Sequence, residues 1–397
     1  MAHLKLPDVP GLAAVVTALA GEVRLVGGVV RDTLAGLAVK DVDLATPLSP
    51  QEVITRLEAA GLKAVPTGIA HGTITAVAES KPFEITTLRR DVATDGRHAT
   101  IAYTDDWRED AARRDFTINA LYADPISGEI FDYFGGVDDL AAGLVRFIGE
   151  PLQRIAEDHL RILRFFRFTA RFAKGAPHAP SLAACATRAN DLMALSRERI
   201  AMELLALLAL PNPAATVELM IETGIFAPVL PEIVDGSALS QLVMREQAEA
   251  ILPDPLRRLC PLIPADPAVA EDVANRLKLS NAQRKRMIAV AGRGAEDGKD
   301  PRALAYWLGI DVAMDRLLLG TGSVIPLKNW DVPRFPITGG AIVARGVKAG
   351  PEVARILQSA ERQWVAEGFP DADRTTAILD QVIAGRKGGC LPTYGKG

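Results

Sequence analysis

The hydrophobic pattern of this chain changes character once, near Gly149, and that change limits its architecture more than any other feature. From Val23 to about Phe134, short apolar runs are separated by turn signals. RLVGG reads as a strand, VVRDTLAGL as a helix and VKDVDLAT as a second strand. Pro50 to Ala60 reads as a helix, with Ser49 as its N-cap and Gly61 as its stop. GTITAVAES and FEITTLR alternate and are joined across Ser80–Pro82, which predicts a hairpin. After Gly149 the segments EDHLRILRFFRFTARFA, RERIAMELLALLA and AATVELMIETGIFAPV have helical spacing, with proline clusters as breaks. The expected fold class is α+β: an α/β head with a mixed sheet, then an all-helical remainder. Residues 1–149, 150–210 and 211–397 are the expected domains.

Composition excludes several other classes. A chain of 397 residues suits roughly two to three packed units of about 100–200 residues each. With 49% hydrophobic and 24% charged residues it is an ordinary globular sequence. No run approaches the roughly 18 apolar residues of a membrane helix, and MAHLKLPDVP does not read as a secretory signal. Three widely spaced cysteines without C-x-x-C argue against a disulfide framework or a thiolate zinc site, so a cytoplasmic location is expected. The net charge of −4 averages two unlike parts. Residues 1–150 carry 14 basic against 22 acidic side chains, and the rest carry 31 against 27. An acidic, metal-binding front with a cationic surface behind it fits that asymmetry.

The segment Gly27–Thr46, GGVVRDTLAGLAVKDVDLAT, carries the most chemistry. On a strand, Asp41 and Asp43 share a face while Val42 and Leu44 turn inward. Two neighbouring carboxylates repel unless a cation lies between them, and Mg²⁺ is commonly held by one or two carboxylates plus substrate phosphates. D-x-D alone also describes a solvated acidic edge. Its context favours the ion: Gly27–Gly28 sits at a strand-to-helix junction, where free backbone N–H groups attract an anion, and Arg31 adds a mobile positive charge one turn later. Neither G-x-G-x-x-G nor a Walker A loop is present. Glu84, between inward-facing Phe83 and Ile85, is either a third metal ligand or an exposed strand residue.

GG-x-V-R-D followed by D-x-D resembles the nucleotidyltransferase superfamily that includes DNA polymerase beta. DAARRDFTIN (Asp110–Asn119) is similar to the D-x-x-R-R-D-x-x-x-N motif of its class II branch, which holds tRNA nucleotidyltransferases (CCA-adding enzymes) and bacterial poly(A) polymerases. EDHLRILRFFR (Glu157–Arg167) is similar to that branch's E-D-x-x-R motif. The resemblance implies a polymerase-beta-like head followed by a helical neck (150–210), body and tail. Within it, Asp41 and Asp43 correspond to the Mg²⁺ ligands, Gly27, Gly28, Arg31 and Arg114 to the triphosphate site, and Asp158 with Arg161 to the pair that meets the base. Arg164 and Arg167 correspond to further nucleotide contacts. Asp115 and Asn119 are expected to hold the turn and the ribose neighbourhood. By spacing alone, Asp158 and Arg161 read as an intrahelical ion pair, and Phe165, Phe166, Phe168 and Phe172 as core.

The implied base selection is chemically sound. Ionised Asp only accepts and Arg only donates, so the pair matches the amino-and-acceptor edges of cytosine and adenine. Guanine and uracil present the opposite pattern, and buried groups left unpaired reject them. CTP and ATP are therefore the expected nucleotides and the tRNA 3′ end the expected acceptor, with no protein partner required. The stretch 89–107 reads as a mobile loop, which in this family accompanies addition of the terminal A. His71 and His98 are read as bystanders. The histidine-rich phosphohydrolase domain of larger relatives is not expected, because every histidine precedes residue 180. SRERIAMELL (196–205) reads as a structural closure of the neck. Arg276, Lys278, Arg284, Lys285, Arg286 and Arg293 follow one another without an intervening acid and suit RNA phosphates or a solvated helix face. Two alternatives stand beside CCA addition: a poly(A) polymerase with the same chemistry, and a non-catalytic RNA-binding protein on the same scaffold.

Overall fold

The structure is a computed structural model describing residue 4 and residues 9–94 and 99–387. His98 and residues 388–397 lie outside the described residues; the sequence RKGGCLPTYGKG (386–397) reads as a frayed tail, but its first two residues end the last described helix. The first elements are α1 (Leu12–Ala18), β1 (Arg24–Val26), α2 (Gly28–Leu34), β2 (Asp43–Thr46) and α3 (Pro50–Ala59). There follow β3 (Lys63–Gly68), β4 (Thr73–Ala78), β5 (Lys81–Thr87), β6 (Arg89–Thr94) and β7 (Ala99–Tyr103). Helix α4 (Trp107–Ala112), β8 (Leu121–Ala123), β9 (Ile130–Asp132) and α5 (Gly136–Ala142) complete the head.

Seven strands form one mixed sheet in the order β3-β4-β5-β2-β1-β8-β9. Only β2 and β5 pair in parallel, and their register sets Asp43 beside Glu84. Leu25, Leu44, Ile74, Phe83 and Ile85 bury one sheet face against Val29 and Val30 of α2 and Val53 and Leu57 of α3. Each such side chain contributes roughly 1.5–3 kcal/mol of transfer free energy. Ser49 caps α3 as expected, its side chain accepting from Glu52 N–H while Glu52 reaches back to the Ser49 N–H.

The local departures from expectation have physical causes. The β4–β5 turn is formed by Glu79 and Ser80, both at positive φ (48° and 63°), rather than across Ser80–Pro82. Pro82 is instead in β5, ahead of the stretch that pairs with β2, where its missing N–H costs no bond to that neighbour. Strand β2 begins at Asp43, so Asp41 stands on the preceding connection and not on the strand. Where a loop was expected over 89–107, β6 and β7 pair as a separate two-stranded antiparallel ribbon. The Thr, Ile and Tyr content of these strands supports pairing, whereas the Gly and Asp between them had dominated the reading.

Among the described residues no strand follows β9. Helices α6 (Pro151–Glu157), α7 (Arg161–Phe172), α8 (Ala179–Thr187) and α9 (Arg197–Leu208) come next. The stretch from Glu157 is not one continuous helix, because Asp158 takes an extended conformation (φ −151°, ψ 109°) that ends α6. Phe165 and Phe166 are fully buried, as expected of core residues.

By packing, the chain divides into two compact units, 1–243 with 253–262 and 276–279, and 244–252 with 263–275 and 280–397. The second unit is helical, with a core that includes Ile342, Ile356, Trp364, Ile378 and Leu379. No described helix is long and apolar enough to cross a membrane.

Candidate active site

A cleft of about 350 Å³ is lined by Gly27, Gly28, Arg31, Asp43, Arg113, Arg114, Asp115, Asn119, Asp158, Arg161, Arg164 and Phe168. The head supplies the glycine turn, Arg31, the carboxylates of Asp43 and Asp115, Asn119 and the two adjacent arginines. Helix α7 and the break before it supply Asp158, Arg161, Arg164 and Phe168. Three motifs far apart in sequence thus meet at one end of the sheet. Asp41 lines a neighbouring cavity of about 630 Å³ with Lys40 and Lys81, and Glu84 is exposed. Arg167 is not among the residues lining the cleft.

Gly27 turns the chain from β1 into α2 at φ 66°. That value favours glycine, and a Cβ there would stand 3.1 Å from Arg114 Nη1 and 3.3 Å from the Asn119 carbonyl. Its N–H donates to the Leu121 carbonyl at 2.9 Å, fixing the turn to β8. Arg31 is not the mobile charge that its sequence position suggested. It is buried (7% exposed), pairs with Asp32 at 2.7 Å and donates to Asn119 Oδ1. Burial lowers its pKa, while Asp32 works in the opposite direction.

Asp110 organises the arginine pair from beneath. It meets Arg113 at 2.8 Å and Arg114 at 3.3 Å, and accepts from the Tyr122 hydroxyl at 2.6 Å. Burial pushes its carboxyl up, but the two arginine charges and the Tyr122 hydrogen bond outweigh this and hold it at about 2. Asp115 likewise sits at about 2: Arg164, Asn119 and the Phe116 N–H overcome its burial. Its bonds to Arg164 Nε (2.7 Å), Asn119 Nδ2 (2.9 Å) and Phe116 N–H (2.9 Å) lock α7 to the head. Asp115 and Asn119 are thus bonded to each other and to the backbone of the turn, as expected of residues that hold it.

Asp158 and Arg161 do not form the ion pair that their spacing suggested. Arg161 is buried and donates to Glu157 Oε2 (2.6 Å) and to the backbone carbonyls of Arg154 (2.8 Å) and Arg113 (2.9 Å). Asp158 turns to Arg199 of α9, at 3.0 and 3.2 Å. Arg164 and Arg167 are also anchored: Arg164 pairs with Asp115 at 2.5 Å, and Arg167 with Glu203 of α9 at 2.6 Å. Sequence reading missed Glu157, Arg199 and Glu203. The last two are four apart on α9 and resemble a local helix pair. Only the fold shows each reaching across to a different partner.

A divalent cation suits the acidic side of the cleft. The Asp43 carboxyl is raised above its ordinary value by burial, then by Glu84 and Asp41, with Arg114 opposing. A hard cation beside Asp43 would relieve that crowding. Among the described residues no three Asp, Glu, His or Cys side chains are grouped closely enough to hold an ion alone, so other oxygen ligands must complete the sphere. His71 is exposed, in a short turn before β4. In the basic run, Arg276 makes a two-pronged pair with Glu232 (2.8 Å twice) and Arg286 another with Asp315 (2.7 and 2.9 Å). Arg284 approaches Glu271 at 3.5 Å, whereas Lys278 and Lys285 are exposed.

Comparison with known proteins agrees with this geometry. Residues 23–146 match the family model described as poly A polymerase head domain, and 178–236 match the probable RNA and SrmB-binding site of polymerase A. The chain is 35% identical over 379 residues to mitochondrial CCA tRNA nucleotidyltransferase 1 of Danio rerio, covering 89% of this chain and 86% of that protein. It is 36% identical over 214 residues to the CCA-adding enzyme of Anoxybacillus flavithermus, covering 53% and 52%. A crystal structure of the Bacillus stearothermophilus CCA-adding enzyme in complex with CTP superposes with a TM-score of 0.69 at 25% identity, covering 95% and 98%. Identity sustained across most of a full-length relative, on the same head-and-helices architecture, shows that the chain belongs to the CCA-adding nucleotidyltransferase family.

Proposed function

We propose that this chain is a template-independent CTP/ATP:tRNA nucleotidyltransferase that builds or repairs the 3′-terminal CCA of tRNA. The convergence of Gly27–Gly28, Asp43, Arg113–Arg114, Asp158 and Arg161 on one cleft carries this reading. The sheet end supplies an acidic edge and a backbone turn, and α7 with its preceding break supplies a polar edge of one acceptor and one donor. Gly27, Gly28, Arg31 and Arg114 steady the triphosphate, Arg31 acting with Asn119 to hold the turn. Arg164 contributes to the cationic wall, while Arg167, expected from sequence as a further nucleotide contact, is engaged by Glu203 outside the lining of the cleft. Asp158 accepts from the base amino group while Arg161 donates to the adjacent ring nitrogen.

The tRNA 3′-hydroxyl oxygen bonds to the α-phosphorus, the bond from that phosphorus to the bridging oxygen breaks, and pyrophosphate leaves. Asp41 and Asp43, with oxygens of the bound nucleotide, would hold Mg²⁺, which when bound would supply charge neutralisation and a more acidic hydroxyl. The protein's own part is positioning: the arginines fix the triphosphate and the Asp158–Arg161 edge fixes the base, so the α-phosphorus lies in line with the incoming oxygen. Residues 1–149 act as catalytic head, 150–210 as base-reading neck and 211–397 as tRNA-binding body and tail. Exposed Lys278 and Lys285 each offer a charge to tRNA phosphates, whereas Arg276, Arg284 and Arg286, expected from sequence as further contacts, are engaged by Glu232, Glu271 and Asp315. The enzyme works in the cytoplasm and needs no protein partner.

One assay tests this: the protein, Mg²⁺, labelled CTP and ATP, and tRNA lacking its last three nucleotides. Addition of C, C and A that then stops is the expected result. Long A tails on generic RNA would instead establish a poly(A) polymerase, and binding without incorporation a non-catalytic RNA-binding protein. Chelation of the divalent ion abolishes incorporation.

A further inference from the structure

We propose that Arg199, outside the cleft, is the positioning residue that sets base selectivity by holding the Asp158 carboxylate. The argument rests on the reading of Asp158 and Arg161 as the base-recognising edge. Asp158 has no helix to orient it. It stands in the break between α6 and α7 with extended backbone. Two contacts fix its carboxylate. One is local, from the Leu160 N–H to Oδ1 at 3.1 Å. The other comes from Arg199 Nη2, which reaches Oδ1 at 3.2 Å and Oδ2 at 3.0 Å.

Arg199 is well placed for that task. It follows the Ser196 cap of α9, whose hydroxyl accepts from the Arg199 N–H at 3.4 Å. Helix α9 is itself tied to α7 by Glu203, which pairs with Arg167 at 2.6 Å. The guanidinium therefore stands on a braced helix start. Arg199 is not among the residues lining the cleft, whereas Asp158 is. It acts through the carboxylate and not on the nucleotide.

Acceptor arithmetic gives the consequence. A carboxylate offers about four acceptor positions. Arg199 and the Leu160 N–H fill two on Oδ1 and one on Oδ2. One position on Oδ2 remains, which suits a single amino hydrogen of cytosine or adenine. Across the cleft, Arg161 is already immobilised by Glu157 and by two backbone carbonyls. The donor half of the edge is thus braced from one side and the acceptor half from the other. Without Arg199 the acceptor half is free to rotate, so the amino group of cytosine or adenine loses its fixed acceptor and the advantage over uracil and guanine shrinks.

Arg199→Gln tests this in the full-length protein, with kcat/KM measured for CTP, ATP, UTP and GTP on tRNA lacking CCA. The expected result is a narrowing of the CTP-over-UTP ratio by about tenfold or more. Most of it comes from a fall in CTP and ATP incorporation. Arg199→Lys, which keeps one donor nitrogen, should recover part of the ratio. Ser196→Ala removes only the cap and leaves the Glu203–Arg167 brace and the Arg199 charge in place, so it should lower Tm and narrow the ratio far less than Arg199→Gln. An unchanged ratio in Arg199→Gln overturns the inference, as does an equal loss in Ser196→Ala. If wild-type protein shows no preference for CTP and ATP, or Asp158→Ala keeps one, the base-recognition reading itself fails.

Discussion

Arg161 in the first unit and Arg286 in the second each stand on a helix rich in basic residues, yet their surroundings differ. Around Arg161, the partners Glu157, Asp115, Glu203 and Asp32 neutralise successive arginines of one helix, with an open cleft on one side. Around Arg286, a buried acid takes up the guanidinium directly: Asp315 is 1% exposed and receives both prongs. Lys285 beside it is exposed. Paired arginines therefore border an open cleft in one unit, while in the other the pairing is an internal brace. A cation held by a buried acid is engaged within the fold, whereas an exposed one such as Lys285 keeps its charge available to a phosphate.

The largest expected effect is in the cleft. Asp43→Ala should lower kcat for CTP incorporation on the order of a thousandfold, since several kcal/mol of charge stabilisation depend on that edge. A near-wild-type rate would remove the acidic half from the chemistry. Arg286→Ala should cost about 2–4 kcal/mol of stability, because it strips a two-pronged partner from a buried carboxylate. A denaturation midpoint unmoved by it would show that the Asp315 pairing is not formed in solution.

Asp115 sharpens the contrast through pH. Its carboxyl is held at about 2 in the folded head, below the usual unfolded value, so it stabilises above the unfolded pKa and loses that contribution as pH falls toward 2. The lost contribution is about 2 kcal/mol. Asp115→Asn should therefore be less stable near neutral pH and show a shallower loss between about pH 4 and 2. Parallel stability–pH curves for the two proteins would contradict the pairing with Arg164. The smallest effect belongs to the exposed lysines. Lys278→Glu and Lys285→Glu should each raise KM for tRNA a few-fold, with the salt dependence of binding reduced by about one ion per substitution. An unchanged salt slope would place the RNA elsewhere.

The sequence exposed what depends on short-range order. The Ser49 cap, the β4–β5 alternation and the glycine turn ahead of α2 were legible because cap chemistry, period and steric freedom act within a few residues. The catalytic segments were legible as motifs, and by residue type their chemistry follows. Partnership was not legible. Asp158 and Arg161 are three apart and invite a local pair, but the helix breaks between them and each finds a partner elsewhere. Arg276 and Arg286 have no acid near them in the run, yet Glu232 and Asp315 lie 44 and 29 residues away along the chain. Long-range neutralisation leaves no periodic trace. The β6–β7 ribbon was missed for a related reason, because loop-like residues between two short strands outweighed the strands themselves.

Gly27 carries a consequence for how this chain can diverge. An added methyl there would press on Arg114 and on the Asn119 carbonyl, and the backbone itself favours glycine. No single replacement relieves both conditions, since a tolerated alternative needs the turn reshaped and the arginine re-seated together. Substitution at this one position therefore disturbs the backbone and the seat of Arg114 together, which couples the shape of the turn to the placement of that charge.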